Sequence, residues 1–190
     1  MKKYDVLVIG SGAGMGVASD ALSNGFKVAV VDKGPLGGTC LNLGCIPSKL
    51  IIFPSDRVAE IENSNKLGVE ANINKIHFRE IMERMRSLIS EDREQMRDGI
   101  NHAKNLDFYE GTGYFVDDYT LEVNGERIFG EKIFIVAGAR PHIPNVKGLD
   151  KIDYLTNETI LELNDLPKSV AILGGGYIAC EFAHFLVGMG

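Results

Sequence analysis

A short apolar run, Val6-Leu7-Val8-Ile9, breaks directly into Gly10-Ser11-Gly12-Ala13-Gly14-Met15-Gly16, and that junction most constrains the fold. An apolar run without polar alternation reads as a strand buried on both faces, here over residues 4–9. The residues after the glycines read as a helix to about Asn24, closed by Gly25, and residues 26–31 read as a second buried strand ended by Asp32. Strand, glycine loop, helix and strand with short connections make a βαβ unit with parallel strands and a right-handed crossover. In such a unit Gly10 makes the tight turn and Gly12 lets the backbone approach a pyrophosphate. The helix N-terminus then offers N–H groups and a positive dipole end to the phosphates. Asp32 follows Gly10 by about 20 residues, where a ribose hydroxyl would find an acceptor. The third fingerprint position holds Met15 instead of Gly or Ala. Either Gly14 and Gly16 share its role in close helix–strand contact, or the helix sits differently. Nucleotide binding is the expectation, with a bare structural turn as the alternative.

Residues 34–44 are loop-like or distorted, and a helix is expected from the cysteine region to about Asn63. Residues 77–103 carry Ile81, Met85, Leu88, Ile89, Met96 and Ile100 at helical spacing, a long amphipathic helix whose stripe is ordinary packing. After Asn105, residues 108–109, 113–116, 120–123 and 127–129 look like short antiparallel strands, and residues 132–136 return to a buried strand. Two prolines and a glycine within 141–150 mark a domain boundary. Residues 170–173 then begin a second strand, followed by Gly174-Gly175-Gly176-Tyr177 and a helix. A second nucleotide unit would need another strand and an acidic residue about 20 positions on. The expectation is therefore an incomplete first domain over 1–147 and the start of a second over 148–190, a piece of a longer polypeptide.

The net charge of −6, with no long Lys/Arg run, argues against a nucleic-acid face. The apolar run near the start is too short for a signal core or a membrane span, and a cytoplasmic location is expected. The three cysteines are Cys40, Cys45 and Cys180, too few for a secreted disulfide scaffold. A structural zinc site needs four ligands, and His77, His102, His142 and His184 are scattered. In a reducing compartment a close cysteine pair points to redox chemistry. The pair lies in Gly37-Gly38-Thr39-Cys40-Leu41-Asn42-Leu43-Gly44-Cys45-Ile46-Pro47-Ser48-Lys49. The two glycines at its start let the backbone approach a flat cofactor. A disulfide across this spacing needs a distorted helix, which Gly44 and Pro47 suit. A thiol with a pKa of about 8.5 is only slightly ionised at neutral pH, and a helix N-terminus or Lys49 would favour the thiolate. Two buried structural thiols are the alternative. Cys180, in an apolar helical stretch, is expected to pack.

Residues 37–49 resemble the redox-active motif of the class I pyridine nucleotide–disulfide oxidoreductases, and the whole chain is similar to the N-terminal part of that family. The resemblance implies an α/β fold: a Rossmann-like FAD-binding domain with a β-meander insertion, then the start of a second Rossmann-like NAD(P)-binding domain. It implies FAD at Gly10, Ser11, Gly12, Ala13, Gly14, Asp32 and Lys33, with further contacts at Gly38, Thr39 and Gly44. Cys40 would be the interchange thiol of a Cys40–Cys45 redox disulfide, and Cys45 the charge-transfer thiol against the flavin. Lys49 would sit near the flavin N5 side, and Gly113 near the adenine end. Residues 136–141 are similar to a flavin-domain segment, with Ala137 and Ala139 in place of hydroxyl residues around Gly138. Gly174, Gly176 and Tyr177 would belong to the NAD(P) loop, with Tyr177 as a lid over the flavin. Glu181 would pair with Lys49.

Leu41-Asn42-Leu43 and Ile46-Pro47-Ser48-Lys49 most resemble dihydrolipoamide dehydrogenases, which implies dihydrolipoamide oxidation with NAD⁺. The Gly-Ser-Gly-Ala-Gly-Met loop is similar to mycothiol-type reductases, and mercuric and glutathione-type reductases stay open. The resemblance also implies a homodimer, a small-molecule or lipoyl-carrier disulfide partner, and an acid–base His that no His of this chain matches. NAD against NADP is undecided. An inactive flavin-domain piece and a redox-sensing flavoprotein are the competing readings.

Overall fold

The computed structural model describes all 190 residues, Met1–Gly190. They form two compact units, each discontinuous in sequence: residues 1–42 with 90–140, and residues 43–89 with 141–190.

The first unit is built on a sheet of β1 (Lys2–Ile9), β2 (Val28–Asp32), β3 (Leu106–Glu110), β4 (Tyr114–Asp117), β5 (Thr120–Val123) and β6 (Glu126–Ile135). The spatial order is β3-β2-β1-β6-β5-β4. β1 is central: Leu7 pairs with Ala29 of β2 on one side and with Ile133 of β6 on the other, both in parallel. Apolar side chains therefore point to both faces. Val6, Val8, Val28 and Val30 pack on one face with Ala18 and Ala21 of α1 (Gly14–Ser23). Tyr4, Leu7, Ala29 and Val31 pack on the other with Leu121, Val123 and Ile128. Each buried Val, Leu or Ile among them contributes roughly 1.5–3 kcal/mol.

Three expectations change here. Residues 108–109 lie in β3, which pairs parallel to β2 as a sheet edge and not antiparallel. A short apolar pair reads the same in either pairing, and a distant partner decides between them. The proposed strands 127–129 and 132–136 are one strand, β6, that pairs antiparallel to β5 and parallel to β1. Gly130, which looks like a turn residue, is instead a close-approach position: a Cβ there would lie 2.5 Å from Leu7 Cβ. Residues 170–173 form no strand. They lie in the second unit, which contains no strand for them to pair with. Val170, Ile172 and Leu173 are exposed as a result.

The second unit is helical. α3 (Cys45–Asn63) and α5 (Tyr177–Met189) pack with the first part of α4 (Phe78–His102), and short 3₁₀ turns join the core. Ile51, Met82, Met85, Ile89, Ile160, Leu161 and Phe185 are buried together. Phe78 stacks on Phe185 with ring centroids 5.8 Å apart. The expected methionine and isoleucine stripe is therefore packing, with Met82 added to it. α3 runs through an interior Pro54. It crosses α5 at small residues: a Cβ on Gly188 would lie 2.8 Å from Ser55 Cβ, and Ser55 Oγ donates to the Phe185 carbonyl at 3.1 Å.

Candidate active site

In the first unit, the glycine loop is fixed mostly by the protein itself. Gly10 has φ +110°, and a Cβ there would lie 2.2 Å from the Val136 carbonyl oxygen and 3.2 Å from Ala137 Cα. Its turn brings the loop against Val136 and Ala137. Gly14 does what Met15 cannot: a Cβ at position 14 would lie 2.6 Å from Val8 Cγ1, whereas Gly16 has nothing within 4 Å. Helix and strand thus close up one residue before the fingerprint position, and Gly16 does not share the role. α1 follows Ala13 with no side-chain cap.

Ser11 and Asp32 meet as a part-buried latch. Asp32 Oδ2 accepts from the Ser11 N–H and from Ser11 Oγ–H, both at 2.6 Å, and Oδ1 accepts from the Gly34 N–H at 2.9 Å. Ser11 Oγ also accepts from the Gly37 N–H at 3.3 Å. Both polar groups of Ser11 are therefore committed to the protein. An ionised carboxylate offers about four lone-pair sites, so Asp32 keeps one for a further donor. Lys33 is exposed beside it.

The loop after β2 leads to α2 (Gly38–Leu43), which carries Thr39 and Cys40 exposed. Gly38 (φ +59°) rests on the first loop: a Cβ at Gly38 would lie 2.7 Å from Gly12 Cα. Gly113, before β4, is enclosed by protein, since a Cβ there would lie 2.7 Å from Leu121 Cδ2 and 3.3 Å from Val31 Cγ1. Gly138 (φ +77°) and Ala137 lie exposed after β6.

In the second unit, Gly44 precedes Cys45, the first residue of α3. Pro47 sits in the first helical turn, where its missing N–H costs nothing. Cys45 thus stands exposed at a helix N-terminus. Cys40 of the first unit and Cys45 of the second are each exposed. Lys49, one turn further along α3, forms an ion pair with Glu181 of α5. The hydrogen bond from Lys49, seconded by Ser48, holds the Glu181 carboxyl below its ordinary value of 4.5 despite partial burial. Ser48 Oγ also donates to the Cys45 carbonyl at 3.2 Å. One turn beyond Glu181, His184 Nε2 lies 2.7 Å from Asp56 Oδ1. Gly174 and Gly176 lie in the open loop before α5, and Tyr177 is 80% exposed at its start. Cys180 is exposed on α5 and not packed, because α5 turns Phe182, Phe185 and Met189 into the core instead.

Ser48, Asp56 and His184 take part in these arrangements without having been singled out by the sequence. Ser48 lies within the cysteine motif, next to Lys49. The pairing of Asp56 with His184 has no local signal. Because Glu181 is lowered, the Lys49–Glu181 pair stabilises the protein above about pH 4.5, and that contribution fades as pH falls through the lower folded value. We therefore expect Glu181→Gln to cost at most about 1 kcal/mol at neutral pH, as for other solvent-facing pairs. The difference from the parent should vanish in strong acid, as read from urea midpoints across pH.

Comparison with known proteins accords with this picture. Residues 4–190 match the family model described as pyridine nucleotide-disulphide oxidoreductase. A mercuric reductase of Staphylococcus aureus is 35% identical over 98% of this chain and 34% of its own length. A mycothione reductase of Mycobacterium tuberculosis is 31% identical over all of this chain and 42% of its own. A dihydrolipoyl dehydrogenase of Geobacillus stearothermophilus is 37% identical over 93% of this chain and 38% of its own. The structure of an HOCl-induced flavoprotein disulfide reductase from Escherichia coli superposes with a TM-score of 0.84 at 29% identity, covering 98% of this chain and 40% of that one. The chain thus spans about two-fifths or less of the length of these relatives. With a glycine loop between β1 and α1, the Cys40 and Cys45 motif in its sequence and a family match across nearly its whole length, this chain belongs to the pyridine nucleotide–disulphide oxidoreductases.

Proposed function

We propose that the chain supplies the FAD-binding and dithiol part of a disulfide oxidoreductase that exchanges electrons between a thiol substrate and a pyridine nucleotide. The observation that carries this reading is the seat of Gly38 on Gly12, which joins the cysteine segment to the dinucleotide loop. The residues fit an adenine dinucleotide in three respects. α1 begins without a side-chain cap, and its positive dipole end suits an anion. Gly12 adds no side chain that would keep a pyrophosphate from the backbone. Asp32 retains a lone pair for a ribose hydroxyl. When bound, FAD supplies a two-electron relay between a dithiol and a pyridine nucleotide.

In this reading, a substrate thiolate attacks Cys40 Sγ of the oxidised pair, the Cys40–Cys45 bond breaks, and Cys45 leaves as thiolate. The second substrate thiol, deprotonated, attacks the substrate sulfur bound to Cys40. The substrate closes as a disulfide and Cys40 leaves as thiolate. The substrate is then oxidised by two electrons, and the pair is left as the dithiol. Glu181 holds the Lys49 ammonium in place as a fixed positive charge, available to electron density on a nearby acceptor. Gly174, Gly176 and Tyr177 would receive the pyridine nucleotide.

Dihydrolipoamide with NAD⁺ is our first choice of substrates, supported by residues 41–49 and by the dihydrolipoyl dehydrogenase relatives. Reduction of Hg(II) or of a mycothiol-type disulfide is the second, supported by the mercuric and mycothione reductase relatives. In either case the protein is proposed to act as a homodimer in the cytoplasm. The test is a visible spectrum followed by turnover. Purified protein that retains FAD and forms NADH from dihydrolipoamide supports the first choice. FAD retention with turnover of only Hg(II) or another disulfide selects the second, and a colourless protein that takes up no added FAD rejects both.

A further inference from the structure

Asn42 is a buried side chain whose two halves are treated unequally. Its Nδ2 group donates to the carbonyls of Leu36 and Gly38, each at 2.8 Å, with the Pro35 carbonyl at 3.5 Å. Two protons serve two short bonds, so the donor side is fully used. The Oδ1 atom is buried and accepts no hydrogen bond. A fold that leaves an acceptor orphaned needs this residue for its donors.

Those donors tie α2 to the loop that precedes it. The same loop is held from the other side by the first glycine turn: Gly37 N–H donates to Ser11 Oγ, and Gly38 lies against Gly12. Leu41 fills the space beneath Gly37, where a Cβ would lie 2.3 Å from Leu41 Cδ2. A continuous path thus runs from Gly12 through Gly38 to Asn42, on the six-residue helix that carries Cys40.

We propose that Asn42 is a positioning residue that couples occupancy of the Gly10–Gly14 loop to the placement of Cys40, so that ligand phosphate at the loop alters the reactivity of the thiol. This rests on the reading of that loop as a dinucleotide site. Coupling through such a path is reciprocal and spans about 5- to 150-fold in known systems.

ADP is the probe, because it carries the adenine, ribose and pyrophosphate but no flavin ring that could shield Cys40 directly. Flavin-free protein is alkylated with iodoacetamide, with and without ADP at concentrations shown by calorimetry to saturate it, and the rate at Cys40 is followed by peptide mass mapping. The expected result is a change of about five-fold or more with ADP in the parent protein, falling below about two-fold in Asn42→Leu. The proposal is overturned by no change in the parent, by an equal change in Asn42→Leu, or by failure of ADP to bind a protein that retains FAD. A parent protein that retains no FAD removes the dinucleotide reading itself, and the coupling with it. Should Asn42→Leu fail to fold, hydrogen exchange of the α2 amides in the parent provides the test. Slower exchange with ADP supports the coupling, and unchanged exchange overturns it.

Discussion

Cys40→Ser and Cys45→Ser are each expected to lower turnover of a dithiol substrate by at least about 10³-fold in the flavin-loaded protein, as loss of a nucleophile does elsewhere. Neither substitution should disturb the fold. Both thiols are exposed, so the change in stability should stay within about 0.5 kcal/mol. Unequal effects on chemistry and folding separate a redox role from two structural thiols, which would show the reverse. The two variants should also differ from each other. Cys40→Ser removes the sulfur proposed to meet substrate but leaves Cys45 at the head of α3, so any absorbance arising from a Cys45 thiolate beside the flavin should survive in it and be lost in Cys45→Ser. Steady-state rates with a visible spectrum of each variant check this, and more than a tenth of parental turnover in either would remove the dithiol mechanism.

The second large effect is structural. Gly10→Ala places a methyl group 2.2 Å from the Val136 carbonyl oxygen at a backbone φ of +110°. Neither neighbour can yield cheaply. The Val136 N–H is bonded to the Ile9 carbonyl at 2.8 Å, and the Gly10 N–H to the Val31 carbonyl at 2.8 Å. Strain and clash together should cost at least about 3 kcal/mol, with flavin retention lost alongside. Gly16→Ala is the control, because nothing lies within 4 Å of the added methyl and a helix favours alanine over glycine. Urea midpoints that fell equally in both variants would contradict the packing described for the loop.

What the sequence revealed follows the range of the forces involved. β1, the glycine loop, α1 and β2 were legible because each is announced by neighbours within a few residues. The helix spanning 78–102 was legible from its period. The direction of β3, the fusion of two expected strands into β6 and the lack of pairing at residues 170–173 depend on partners far away in the chain. Gly130 shows the difficulty: a glycine between apolar runs signals a turn locally, and only Leu7 reveals it as a contact. The site divides likewise. The cysteine pair was plain from spacing, while the Lys49–Glu181 pair came through family resemblance. The Asp56–His184 contact and the work of Asn42 emerged only from the structure.

The central place of β1 sets a timetable for folding. β1 can meet β2 as soon as the first βαβ stretch of chain is made, but its other edge waits for β6, which α2, α3, α4 and three more strands precede. Until residue 135 has emerged, β1 has one open edge. Pairings this distant in sequence close slowly and expose strand edges meanwhile. Early loading of the adjoining glycine loop would favour the closed sheet by mass action, so ligand supplied during synthesis should raise the yield of native protein more than the same ligand added afterwards.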